Sequence, residues 1–182
     1  MRFRTSTFHL PAEPRTPYPE PRTPNRTQNP EPRTRNPAML DSPAAPDSIV
    51  AYIDGGARGN PGPAGYGVRV ERPDGTLVDE LAESIGVATN NVAEYRALLA
   101  ALEWSRAHGY RAVHVRSDSL LLVQQMLGNY RVKHPGLQAL HARARLLAHH
   151  LGRVTFEHVG RALNAHADRL ANAAMDGGGS GA

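Results

Sequence analysis

The sequence predicts an α/β fold, a mixed five-stranded sheet flanked by helices in the order βββ-α-β-αα-β-α. Three observations predict it. From Ile49 onward, short β-rich apolar runs alternate with stretches of helical apolar spacing. The first three runs are joined by turns with no helix between them, which makes them an antiparallel set. The later runs are separated by helical stretches, and a strand-helix-strand crossover is right-handed and lays its helix on a sheet face.

The first strand is Ile49-Val50-Ala51-Tyr52-Ile53, followed by a glycine and proline cluster from Gly55 to Gly67. Tyr66 to Glu71 and Leu77 to Val87 follow as strands, joined by a turn at Pro73-Asp74-Gly75. Val92, Tyr95, Leu98, Leu99 and Leu102 then recur at helical spacing, and Gly109 suits the helix's C-terminal cap. Ala112 to Val115 reads as a buried strand, Leu120 to Met126 as a short helix closed by Gly128, and Leu137 to Leu151 as a longer helix. Val154 to Val159 is the last strand and Asn164 to Met175 the last helix.

Composition divides the 182 residues into three parts. Residues 1–47 hold 11 of the 15 prolines and three copies of Glu-Pro-Arg-Thr, starting at Glu13, Glu20 and Glu31. Such a stretch has too few aliphatic side chains to offset its ordering entropy and is expected to be disordered. Two readings of it compete: a basic tail that adds salt-sensitive affinity for nucleic acid, or an upstream extension ahead of a true start at Met39. Residues 48–176 form the folded domain, and 177–182 a flexible glycine-rich end.

The net charge of +4 is misleading, because seven Arg against three Glu in residues 1–40 account for all of it. The rest carries 14 basic and 14 acidic residues, so a case for polyanion binding by the folded part must rest on particular side chains. There is no cysteine, which excludes disulfides, thiolate zinc sites and a cysteine nucleophile and fits a reducing compartment. No apolar run approaches the roughly 18 residues of a membrane span, and the N-terminus lacks a signal's apolar stretch. A cytoplasmic, monomeric protein is expected.

The chemistry lies in four acids. Asp54 follows the first strand, Asp118 the fourth, and Glu94 and Asp168 fall in the first turns of two helices. Strand ends and the helix starts beside them can converge on one locality. Clustered carboxylates repel unless a cation neutralises them, and an oxygen-only ligand set suits Mg²⁺ or Mn²⁺ better than zinc. Singly, each acid has an ordinary explanation, since the helix dipole favours acids in a first turn. Asp54, between an apolar strand and two glycines, is neither a cap nor part of a solvated face.

The flanking motifs carry a resemblance. Asp54-Gly55-Gly56-Ala57-Arg58-Gly59-Asn60-Pro61-Gly62-Pro63 resembles the first signature of the type 1 ribonuclease H family. Thr89-Asn90-Asn91-Val92-Ala93-Glu94-Tyr95 is similar to the second, Ser117-Asp118-Ser119 to the third, and Asn164-Ala165-His166-Ala167-Asp168 to the fourth. The match spans residues 49–175, with four motifs in family order. It implies a ribonuclease H-like fold and an endonuclease that hydrolyses the RNA strand of RNA-DNA hybrids. By the same resemblance, Asp54, Glu94, Asp118 and Asp168 hold two Mg²⁺ ions, with Mn²⁺ as a substitute, and the products are a 5′-phosphate and a 3′-hydroxyl. Asp54 is the family's bridging aspartate. Gly56, Ala57, Asn60 and Asn90 match positions that contact RNA, and Thr89 and Asn91 positions that grip the DNA strand. Helix capping is the plain alternative for Asn90.

Two departures mark a branch of the family. The link Gly160-Arg161-Ala162-Leu163 is too short for the histidine loop of many members, and Arg161 takes that place. An arginine neutralises phosphate charge but does not shuttle protons near pH 7. His158 reads as a strand residue and His166 as an exposed helix position. The inserted Lys- and Trp-rich helix of some relatives is also missing, leaving Arg131, Lys133 and His134 as a residual basic spot, and Trp104 reads as helix packing. Three alternatives remain: a non-cleaving hybrid-binding module, a nuclease of the same fold acting on duplex RNA or RNA-DNA junctions, and a small-molecule metallohydrolase. The first is disfavoured because all four acids are present, and the last because the edge is open and glycine-rich.

Overall fold

The computed structural model describes residues 48–177, so the leader 1–47 with its alternative start, and the tail from residue 178, lie outside the described residues. Strands β1 (Ser48–Ala57), β2 (Gly62–Glu71) and β3 (Leu77–Ala88) precede helix α1 (Asn90–Ala107). Strand β4 (Ala112–Ser117), helices α2 (Leu120–Met126) and α3 (Pro135–Leu151), strand β5 (Arg153–His158) and helix α4 (Ala165–Gly177) follow, with a 3-10 turn at Arg161–Asn164 before α4. The sheet order is β3-β2-β1-β4-β5. Strands β1 to β3 pair antiparallel, while β1 with β4 and β4 with β5 run parallel. This is the mixed five-stranded sheet that the order of elements predicts.

Alternation along β1 assigns its two faces. Ile49, Ala51 and Ile53 are buried and pack with Val68, Val70, Val113 and Val115 beneath α1 and α3. Gly55 continues this face, and a Cβ there would meet the Ala93 carbonyl carbon of α1 at 2.2 Å. Asp54 points the other way. Its register partner is Gly67, where a Cβ would lie 2.4 Å from the Ala167 carbonyl oxygen of α4. Helices thus cover both faces, and two glycines let their backbones approach the sheet closely.

Several boundaries differ from the sequence reading. Strand β1 runs on through Asp54 to Ala57, and β2 begins at Gly62, because Gly55, Gly56 and Ala57 pair with Tyr66, Gly65 and Ala64. Asp54 therefore sits within the strand and not beyond it. Glu94 is corrected as well: α1 starts at Asn90, its first turn holds no acid, and Glu94 lies in the second turn, where the helix dipole gives little. Asp168 is in the first turn of α4 as expected. Helix α4 extends to Gly177. Trp104 packs on the core, donates Nε1 to Asp79 at 2.8 Å and stacks on His108, so it is a packing residue. No helix among the described residues is long and apolar enough to cross a membrane.

Candidate active site

The C-terminal ends of β1 and β4 point toward the starts of α1 and α4, and an open cleft of about 630 Å³ lies there. Asp54, Glu94, Asp118 and Asp168 all line it, with Gly56, Ala57, Asn90 and Arg161. Asp54 enters from the sheet, Glu94 from α1, Asp118 from the turn after β4, and Asp168 from α4.

Each acid has a hydrogen-bonding partner of its own. Ser119 caps α2 and donates its hydroxyl to Glu94 at 2.6 Å, while Asn90 donates Nδ2 to the other Glu94 oxygen at 3.3 Å. Asn164, fully buried, donates Nδ2 to Asp118 at 3.0 Å and to the Ile53 carbonyl at 2.9 Å. Arg161 reaches Asp168 at 3.3 Å with a largely exposed guanidinium. Gly55 donates its backbone amide to Asp54.

The electrostatics disfavour the ionised forms of Asp54 and Glu94. Burial, then the charges of Asp118 and Asp168, push the Asp54 carboxyl up to about 6. Burial is also the main cause for Glu94, pushed up to about 7 by it and by Asp54 and Asp118, against the lowering effect of its Ser119 bond. Arg161 is held above its ordinary value by its bond to Asp168 and then by the charges of Asp168, Asp118 and Asp54. A shared cleft with two carboxyls reluctant to ionise fits a hard cation, because the donors are oxygens and no histidine lines it. Among the described residues no three or more acidic or imidazole side chains are drawn close enough together to hold a metal ion as they stand. The four carboxylates line one cleft, each restrained by its own partner.

The remaining expected residues build the rim. Thr89 caps α1, accepting from the Val92 amide at 3.4 Å. Asn90 is thus not the cap: its Oδ1 accepts from the Ala57 amide at 3.1 Å, and its own amide donates to Asn60 Oδ1 at 3.2 Å. These bonds lash the turn after β1 to the start of α1. Asn60, Thr89 and Asn91 stand outside the cleft lining itself. His158 ends β5 with Nε2 3.2 Å from the Asp118 carbonyl oxygen, beside the site and not in its lining. His166 is exposed and pairs with Arg169.

Four contributors were not singled out from sequence. Ser119 and Asn164 orient acids. Asn172 lines the cleft one helical turn after Asp168 and donates to the Asp168 carbonyl at 2.9 Å. Arg58 pairs with Asp176, joining the turn to the end of α4. The available signal was position: Ser119 follows an acid, and Asn164 and Asn172 flank Asp168 at intervals of four, one helical turn away.

Comparison with known proteins finds relatives across most of this domain. A family described as reverse transcriptase-like matches residues 52–174. A bifunctional protein of Mycobacterium tuberculosis is 49% identical over 107 residues, 58% of this chain and 29% of that protein, so the chain spans less than a third of that relative's length. The solved N-terminal RNase H domain of that mycobacterial protein, fused to maltose-binding protein, is 50% identical with a TM-score of 0.69, covering 71% of this chain and 99% of that one. A ribonuclease H1 isolated from compost and solved in complex with an RNA/DNA hybrid is 44% identical with a TM-score of 0.70, covering 72% of this chain and 99% of that one. On the family match and these near-complete overlaps, the chain belongs to the type 1 ribonuclease H family.

Proposed function

We propose that this chain is a metal-dependent endonuclease that hydrolyses the RNA strand of RNA-DNA hybrids, leaving 5′-phosphate and 3′-hydroxyl ends. The observation that carries the reading is the convergence of Asp54, Glu94, Asp118 and Asp168 on one cleft, where burial and the neighbouring acids disfavour the ionised forms of Asp54 and Glu94. These four would hold the metal. What a pair of bound Mg²⁺ ions supplies, or Mn²⁺ in their place, is activation of water and neutralisation of charge at the departing 3′ oxygen.

The chain's own residues do the rest. Ser119, Asn90 and Asn164 fix carboxylate orientations, so that the site need not reorganise as charge develops on the phosphate. Arg161 extends an exposed guanidinium at the cleft, where it can bind a phosphate oxygen without exchanging a proton. The turn Gly56 to Asn60, held by Asn90, presents backbone close enough to sense a 2′-hydroxyl. Thr89 and Asn91 at the start of α1 serve the DNA strand. A hybrid as substrate is supported by the compost relative solved with an RNA/DNA hybrid. The absence of cysteine supports a reducing, cytoplasmic setting.

Labelled RNA-DNA hybrid, duplex RNA, duplex DNA and single strands, each offered with Mg²⁺, Mn²⁺ or EDTA, test this. Cutting of only the hybrid's RNA strand, abolished by EDTA, is expected. Tight hybrid binding without cutting would replace the proposal by a binding module, and equal cutting of duplex RNA would remove its substrate assignment.

A further inference from the structure

The domain has a second cleft at the opposite end of its sheet. It measures about 670 Å³ and lies where β4 and β5 begin and α1 and α3 end, lined by Arg106, Tyr110, Arg111, His150 and Arg153 among others. The rise of a strand puts it about 20 Å from the acids, the length of β4 and the turn that follows. The two clefts share no lining residue.

Its charge is out of keeping with the rest of the domain. Residues 48–176 carry 14 basic and 12 acidic groups, yet three arginines line this cleft with no carboxylate in the lining. Among the described residues, Arg106, Arg111 and Arg153 form no salt bridge, like Arg72, Arg96, Arg131, Arg145 and Arg169, whereas Arg58, Arg69, Arg116, Arg143 and Arg161 do. The nearby carboxylate of Glu103 is committed to Arg143 at 2.5 Å. A helix C-terminus favours a cation, which accounts for Arg106 in the last turn of α1 and for His150 in that of α3. It does not account for Arg111 and Arg153, which lie outside the helices and are brought together by the Arg153 amide donating to the Arg111 carbonyl at 3.1 Å. Unpaired guanidiniums held at one concave place bind phosphate oxygens well, because their fork matches them. Tyr110, stacked on Trp104 with ring centroids 5.7 Å apart, adds an aromatic ring to the lining. Arginine interleaved with aromatic surface is the pattern that holds single strands.

We propose that this cleft is a second nucleic-acid site, which binds the phosphate backbone of a single-stranded segment while the acidic cleft works on another. A single strand is favoured over a mononucleotide because the cleft is open and its charges are spread across three elements. An acidic peptide would find the same charges but no use for the aromatic ring.

The test is fluorescence anisotropy with a labelled 12-nucleotide oligothymidylate and the full chain in EDTA. Arg106→Ala/Arg111→Ala/Arg153→Ala should weaken binding at least tenfold, and the slope of log affinity against log salt should become shallower by about 2, at about 0.7 per phosphate contact. The charge-matched Arg72→Ala/Arg145→Ala/Arg169→Ala should change affinity less than threefold. Arg111→Glu alone should act in the same direction as the first triple variant, which guards against a folding artefact. Cleavage of a short hybrid in Mg²⁺ should stay within twofold of wild type in all of these, which keeps this site separate from the proposed nuclease. Equal loss in both triple variants would overturn the proposal. So would no loss in either, or displacement of the strand by a mononucleotide or polyglutamate at equal charge concentration.

Discussion

Asn164 holds Asp118 by a direct side-chain bond of 3.0 Å while the same Nδ2 reaches the Ile53 carbonyl at 2.9 Å. One buried amide thus ties the turn after β4, the strand β1 and the approach to α4 at the point where the acids meet. Asn164→Ala leaves a buried carbonyl and a carboxylate without their donor, so a loss of about 1–3 kcal/mol in stability is expected. Cleavage should fall more than tenfold at a temperature where the variant is still folded. Thermal unfolding with parallel rate measurements checks this; an unchanged rate would remove Asn164 from the positioning of Asp118.

Asp54→Asn should fold normally and lose nearly all cleavage. The substitution is isosteric and removes a charge that burial and two neighbouring acids already oppose. Unfolding in EDTA should therefore occur at the same temperature or higher. A retained rate above a tenth of wild type would count heavily against the assignment.

The raised carboxyls predict how the metal-free protein responds to pH. Asp54 moves from 3.8 to about 6 and Glu94 from 4.5 to about 7 on folding. For an acid raised in the folded state, the stabilising contribution is complete below the unfolded value and is lost as pH rises through the folded one. In EDTA, then, wild type and the double variant Asp54→Asn/Glu94→Gln should unfold at similar temperatures near pH 4. The variant should become progressively the more stable as pH rises from about 4, with the gap complete by about 7. Mg²⁺ should close that gap by stabilising wild type alone. Melting curves across this window decide it, and a constant difference would mean that the two groups ionise without penalty.

Arg161→Ala removes an exposed guanidinium that touches one acid and no core residue. Turnover should slow by about tenfold, the size of one lost charge contact in a transition state. Metal affinity should change little, or rise, as Asp168 is freed. An unchanged kcat would reject the role.

The element order, the sheet and the four acids were legible in the sequence because periodicity and motif fell on the same segments. The ends of β1 and β2 were not. Gly55, Gly56, Gly65 and Gly67 carry no side chain to show alternation, yet they are strand residues because helices press on both faces there. The turn of α1 that holds Glu94 shifted for a simpler reason: Thr89 is the cap, which moves the helix start ahead of the first apolar residue. The bonds from Ser119 to Glu94 and from Asn164 to Asp118 join residues 25 and 46 positions apart. Spacing along the chain carries no trace of such pairs. The arginine cleft was hidden in the same way, since its three arginines come from the end of α1, a loop and the start of β5, in a domain whose 14 basic and 12 acidic residues nearly balance.

Divalent-ion uptake tests the central relationship most directly. Calorimetric titration of Mn²⁺ into the chelator-stripped full chain should show saturable binding, lost in Asp54→Asn/Asp118→Asn although that variant remains folded. Absence of uptake by the wild-type chain, or the same uptake by the variant, would contradict a cation site built from these carboxylates.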